Sequence, residues 1–216
     1  MTAAALALRR IAPISVADGV WVACAPAEDY RSAHTGDLAR AAGLPAWRAD
    51  EFLAGRGLLR GLLAEVLPGA STAWVGTDPH GKPGLVGRPD VGISVSHDHG
   101  TVAACVAVGR TVGVDVQVAP DSVDDALLRR CLRDEAALLR GLPAHTRALE
   151  FAWVWTVQEA CVKAAGTGMA GAPWAIDVPP WQHEGHWAGL AWRSLRDLSA
   201  IPLSCAFGAR TPEGTR

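Results

Sequence analysis

Between residues 91 and 118, three strand-like runs, VGISVS, TVAACVAV and TVGVDVQV, follow one another with Asp98-His99-Gly100 and Gly109-Arg110 as the turns between them. Turns that short suit antiparallel neighbours, so the segment predicts a meander within a sheet. Any fold for this chain has to be built around it. Upstream, DEFLAGRGLLRGLLAEVL spaces Phe52, Leu59, Leu62, Leu63 and Val66 for a helix, with Asp50 as N-cap and Pro68-Gly69 as stop. Arg48, Arg56 and Arg60 lie at its start and along its side. Between that helix and the meander, residues 77–84 (TDPHGKPG) are so rich in glycine and proline that a loop without regular structure is expected. Two more helices are expected over residues 122–140 and 147–165, the second ended by Gly166-Thr167-Gly168. Short apolar runs near residues 188–192 and 203–207 suit further strands. Helix, sheet, helices, sheet is an α+β order.

With 216 residues, 50% of them hydrophobic, the chain can bury a full core as one large domain or two small ones. A net charge of −2 with 19% charged residues argues against nonspecific nucleic-acid binding, which needs a basic surface to release counterions. An anionic ligand must therefore meet a local basic cluster. The five cysteines are scattered and lack CxxC spacing, which fits reduced thiols and a cytoplasmic protein. No apolar run is long enough to span a bilayer. Arg9 and Arg10 would suit a twin-arginine export signal, but Asp18 interrupts the apolar stretch that follows and a surface turn explains them equally well.

The period of two in VGVDVQ puts Val112, Val114 and Val116 on one face and Gly113, Asp115 and Gln117 on the other. That second face is either solvated or a site. In WVWTVQEACVKAAGTGM, Glu159 and Lys163 are four residues apart, one turn beyond Trp155. They read either as an ordinary helical ion pair or as a carboxylate for a divalent cation beside an ammonium for phosphate. His97 and His99, and likewise His183 and His186, have metal-like spacing without a convincing third ligand nearby. The GKPGL segment is not a nucleoside-triphosphate P-loop, so Lys82 stands as a loop cation without an assigned role.

In order, GKPGL, ISVSHDHG, VGVDVQ and WTVQEACVKAAGTGM resemble the Sfp-type 4′-phosphopantetheinyl transferases, whose pattern is a GKP loop, a Ser-His after a strand, a GxDxE strand and a W-x-x-KEA-x-x-K-x-x-G-x-G helix. The resemblance covers about residues 48–171 and implies two similar α/β halves with pseudo-twofold symmetry, residues 1–110 and 111–216, around a cleft. It implies transfer of the phosphopantetheine arm of coenzyme A to a serine of an acyl- or peptidyl-carrier protein, with Mg²⁺, by a monomer. Carried over by position, Asp115 and Glu159 would hold Mg²⁺, with Gln117 in place of the family's third carboxylate. Lys82 and Lys163 would neutralise phosphate oxygens; Arg48, Arg56 and His97 would hold the 3′-phosphate; Ser96 would seat the nucleotide. Glu135, in CLRDEAALL, matches a general base and reads equally as a surface residue. Gln158 replaces the family's Lys, which implies a lost cation near the phosphates or the carrier. Arg129, Arg130 and Arg133 are expected to form a basic cluster that steers an acidic carrier. The alternative is a coenzyme-A-binding regulatory protein in which the two Gln substitutions have silenced chemistry; a third reading is a metal-dependent phosphohydrolase.

Overall fold

The computed structural model describes residues 11–211; Arg9 and Arg10 lie outside the described residues. Two antiparallel sheets are stacked face to face, each covered on its outer side by one long helix. The first sheet contains β1 (Ile14–Ala17), β2 (Val20–Pro26), β3 (Val75–Thr77), β4 (Pro83–Leu85), β5 (Val91–Asp98) and β6 (Thr101–Val108), in the order β1-β2-β6-β5-β4-β3. The second contains β7 (Val112–Val116), β8 (Glu184–Trp187), β9 (Leu190–Ser194) and β10 (Leu203–Phe207), in the order β7-β10-β9-β8. The architecture is α+β.

Strand alternation builds the layers. In β6, Val102, Ala104 and Val106 face α2 (Ala46–Val66), while Ala103, Cys105 and Ala107 face the second sheet. In β7, Val112, Val114 and Val116 join that central layer with Leu203, Cys205 and Phe207 of β10. The opposite face of the second sheet packs on α5 (Ala144–Ala165), where Trp192 and Ala206 meet Val157, Ala160, Cys161 and Ala164. The five cysteines are free thiols, and burial pushes Cys24 and Cys131 up to about 11 and Cys161 to about 12, so all three stay protonated at neutral pH.

Four expectations are corrected. The meander ends after its second strand: β5 and β6 pair as a hairpin, but β7 pairs with β10 in the other sheet. Gly92 permits the departure, since a Cβ there would stand 2.3 Å from the Arg110 carbonyl. The glycine-rich stretch is a short hairpin, β3 with β4, turned at Gly81 with φ +87° and edged by Pro83. The first long helix starts at Ala46 rather than at Asp50, which instead pairs with Arg31 at 2.8 Å. The helix expected over residues 122–140 is broken into α3 (Asp125–Leu132), a 3₁₀ turn at Arg133–Glu135 and α4 (Ala136–Arg140). At the break Arg133 has φ 52° and donates to the Ala175 carbonyl at 2.7 Å. Arg130 stacks over Trp174 at 4.1 Å and Arg129 lies 4.0 Å from Asp125, so each arginine has its own local partner.

Candidate active site

The seam between the two sheets is fastened by side chains from alternate positions of β5. Ser94 Oγ accepts the Val114 N–H at 3.1 Å, and Asp98 accepts the Val118 N–H at 2.7 Å. Between them Ser96 Oγ donates to Asp115 at 2.7 Å. Lys163 closes the cluster, with its Nζ 2.6 Å from Asp115 Oδ1 and 2.9 Å from Ser96 Oγ. Asp115 is buried, and the ion pair that Lys163 makes is with Asp115. Gly113 makes this possible. A Cβ there would stand 2.1 Å from the Ala160 carbonyl and 2.4 Å from the Ala164 nitrogen, so only glycine lets α5 press against β7 and bring its polar face to Asp115.

Asp115, Gln117, Glu159, Trp155, Ser96, His97, Asp98 and Lys163 line one cleft of about 470 Å³. Burial raises the proton affinity of Glu159, the neighbouring Asp115 carboxylate raises it further, and Lys163 opposes both. Two carboxylates crowded in this way want a cation between them. Among the described residues no group of three His, Cys, Asp or Glu side chains is placed to hold a metal ion. The donors present are nonetheless hard oxygens, the Asp115 and Glu159 carboxylates and the Gln117 amide, while a third carboxylate of the cleft, Asp98, is already engaged by the Val118 N–H and the His99 ring. That set suits Mg²⁺, which keeps several waters and takes the rest of its shell from one or two carboxylates and substrate phosphates.

Next to this cleft, a cavity of about 350 Å³ is lined by Arg40, Leu44, Arg48, Glu51, Phe52, Arg56, Thr77, Gly81, Pro83, Val95 and His97. His97 is shared by both. Arg56 is buried, packs over the Phe52 ring at 5.1 Å and lies 3.9 Å from Asp37; its Nη1 is buried with no hydrogen-bond partner among the described residues. A buried guanidinium N–H without an acceptor, at the wall of a cavity, suits an anion. Burial holds His97 below the usual histidine range, only partly offset by Glu51. Lys82 is engaged elsewhere: its Nζ donates to Thr111 Oγ1 at 2.7 Å and to the Ala164 carbonyl, tying the GKP loop to the end of α5. Burial lowers its proton affinity. It also lines a smaller pocket of about 200 Å³ with Lys163, Ser94 and Gly166.

Two of the sequence candidates stand apart. Glu135 is half-buried in the turn Arg133–Glu135 and does not line these cavities. Gln158 corrects its expectation. It is fully buried and donates through Nε2 to the carbonyls of Cys131 and Ile176, both at 2.8 Å, inside the helical layer. Its substitution therefore removes no cation from the cleft. Sequence reasoning missed Arg40, Glu51 and Phe52. Residues 48, 51, 52 and 56 recur at helical spacing, but nothing in that spacing says that the face they share borders a cavity.

A family profile described as the 4′-phosphopantetheinyl transferase superfamily matches residues 111–197. The chain is also 36% identical over 126 residues to the 4′-phosphopantetheinyl transferase HetI of Nostoc sp., an alignment covering 55% of this chain and 53% of that protein. The chain thus spans about half the length of the curated relative it matches.

Proposed function

From the match to the 4′-phosphopantetheinyl transferase superfamily, we propose that this chain is one of its members and transfers the 4′-phosphopantetheine arm of coenzyme A to a serine hydroxyl of an acyl- or peptidyl-carrier protein. The serine oxygen forms a bond to the phosphorus that carries the pantetheine arm, the pyrophosphate P–O bond breaks, and adenosine 3′,5′-bisphosphate leaves. The serine proton passes to a base, a role that the resemblance carries to Glu135 although that residue stands outside the cavities described above. One observation carries this reading. The seam brings two carboxylates and an ammonium, Asp115, Glu159 and Lys163, alongside a basic cavity whose buried Arg56 N–H lacks an acceptor.

The division of labour follows from position. Arg48, Arg56 and His97 would hold the 3′-phosphate in the basic cavity, and Ser96 and Lys163 would lie between it and the pyrophosphate. Lys82 fixes the loop wall of the nucleotide cavity through Thr111 and Ala164. Asp115 and Glu159, with Gln117 through an amide oxygen or a bound water, would hold Mg²⁺, which when bound screens the pyrophosphate charge. With Gln158 buried away from the cleft, only the Gln117 substitution touches the proposed chemistry, which favours a transferase over a silenced binder. Residues 1–110 and 111–216 would act as the two halves of one monomeric enzyme.

The protein, coenzyme A, Mg²⁺ and a carrier protein are incubated together and the carrier is weighed by mass spectrometry. A phosphopantetheine increment on the carrier, absent without the protein, is expected. Nucleotide hydrolysis with unmodified carriers would point to a phosphohydrolase, and coenzyme A binding without either product would point to the regulatory protein.

A further inference from the structure

One member of the basic cavity has the wrong sign. Arg40, Arg48, Arg56 and His97 line it, and Glu51 stands among them as the one carboxylate that the described residues contribute to its wall. Glu51 Oε2 is buried and has no hydrogen-bond partner among the described residues. Its nearest basic groups are the His97 ring nitrogen at 3.7 Å and the half-exposed Arg48 guanidinium at 4.0 Å, too far for hydrogen bonds and close enough to feel its charge. A carboxylate held for structure would be expected to take the hydrogen bonds those donors offer, as Asp37 does from Arg60 at 2.6 Å and Ser32 at 2.6 Å in the same half of the molecule. Glu51 takes none. It neutralises the cavity at long range while leaving the donors of Arg48 and His97 free for another acceptor.

We propose that Glu51 is the built-in counter-ion of this cavity and sets its affinity for a phosphorylated nucleotide end, keeping it weak enough for the leaving nucleotide to depart. This rests on the transferase reading. A phosphate monoester entering the cavity gains the contacts of Arg48, Arg56 and His97 and meets the repulsion of one fixed negative charge. The penalty falls on phosphate at this end of the ligand, so it discriminates by charge. Coenzyme A and adenosine 3′,5′-bisphosphate both experience it; dephospho-coenzyme A, which lacks the 3′-phosphate, escapes it.

Calorimetric titration of wild type, Glu51→Gln and Glu51→Ala with adenosine 3′,5′-bisphosphate, coenzyme A and dephospho-coenzyme A tests this. Both variants should bind the two 3′-phosphorylated ligands about tenfold more tightly, the scale of one unit charge a few ångströms away in a half-exposed site, with dephospho-coenzyme A nearly unchanged. The alanine variant matters because a glutamine amide can itself donate to phosphate. Weaker or unchanged binding of the phosphorylated ligands in both variants would overturn the role of Glu51, as would equal tightening for dephospho-coenzyme A. A folded wild type that binds none of the three ligands would instead overturn the transferase reading on which the role depends.

Discussion

Removing either of two cleft carboxylates, by Asp115→Ala or Glu159→Ala, is expected to lower transfer on the order of 100-fold or more, because each takes a hard oxygen from the proposed cation site and the third carboxylate of the cleft, Asp98, is held by the Val118 N–H. Circular dichroism should show both variants folded, and a wild-type rate in either would refute the assignment. Gln158 calls for the opposite outcome. Gln158→Leu leaves the buried carbonyls of Cys131 and Ile176 without donors and should cost roughly 1 to 3 kcal/mol in urea denaturation. The dissociation constant for coenzyme A should not move, because the side chain points into the helical layer. A stable Gln158→Leu variant with impaired binding would place that residue at the ligand after all.

At the scale of elements, the approach of α5 to β7 decides whether there is a site at all. Gly113→Ala puts a methyl group where the Ala160 carbonyl already stands, 2.1 Å away, so helix and strand must separate. Overpacking of that kind costs roughly 1 to 3 kcal/mol. It should also depress transfer, since Glu159 and Lys163 ride on the displaced helix; a variant as stable and active as wild type would disprove the close contact. The sequence made α5 and its αL stop at Gly166 legible, because both are local: helical spacing and a glycine at the C-terminus. The parity of Val112, Val114 and Val116 against Gly113 and Asp115 was legible for the same reason. The partner of β7 was not, since a short turn after β6 permits a hairpin, whereas the pairing with β10 is a long-range contact that no local spacing encodes. Likewise, no propensity marks the break at Arg133, where a tertiary contact to Ala175 accompanies a positive φ in a residue that seldom adopts one. Glu51 was illegible because its meaning depends on which cavity its helix borders.

Over the whole molecule, the stack of helix, sheet, sheet and helix places the candidate site at the seam, so neither sheet with its helix holds it alone: β5 and α2 supply Ser96, His97, Arg48 and Arg56, while β7, the residue that follows it and α5 supply Asp115, Gln117, Glu159 and Lys163. With a net charge of only −2, the overall field is small and acid sensitivity has to come from particular buried pairs. Asp37 is the clearest. Burial opposes its charge, but hydrogen bonds from Arg60 and Ser32 and the fields of Arg60 and Arg56 outweigh that, and its carboxyl titrates below the ordinary aspartate range. Arg60 also donates to the carbonyls of Ser71 and Ala73, so the pair ties α1 (Thr35–Ala41) and α2 to the chain entering β3. A carboxyl with a depressed folded pKa binds fewer protons when folded than when unfolded, so the stability it contributes is complete above the unfolded value of about 3.9 and is lost as pH falls through the folded one. Asp37→Asn should therefore cost roughly 1.5 to 3 kcal/mol near neutral pH, the worth of a hydrogen bond to a charged partner, and progressively less below about pH 4. Urea midpoints for both proteins from pH 7 to pH 3 measure the gap between them. A gap that stays constant across that range would mean that the ionisation of Asp37 does not contribute to holding the first half together.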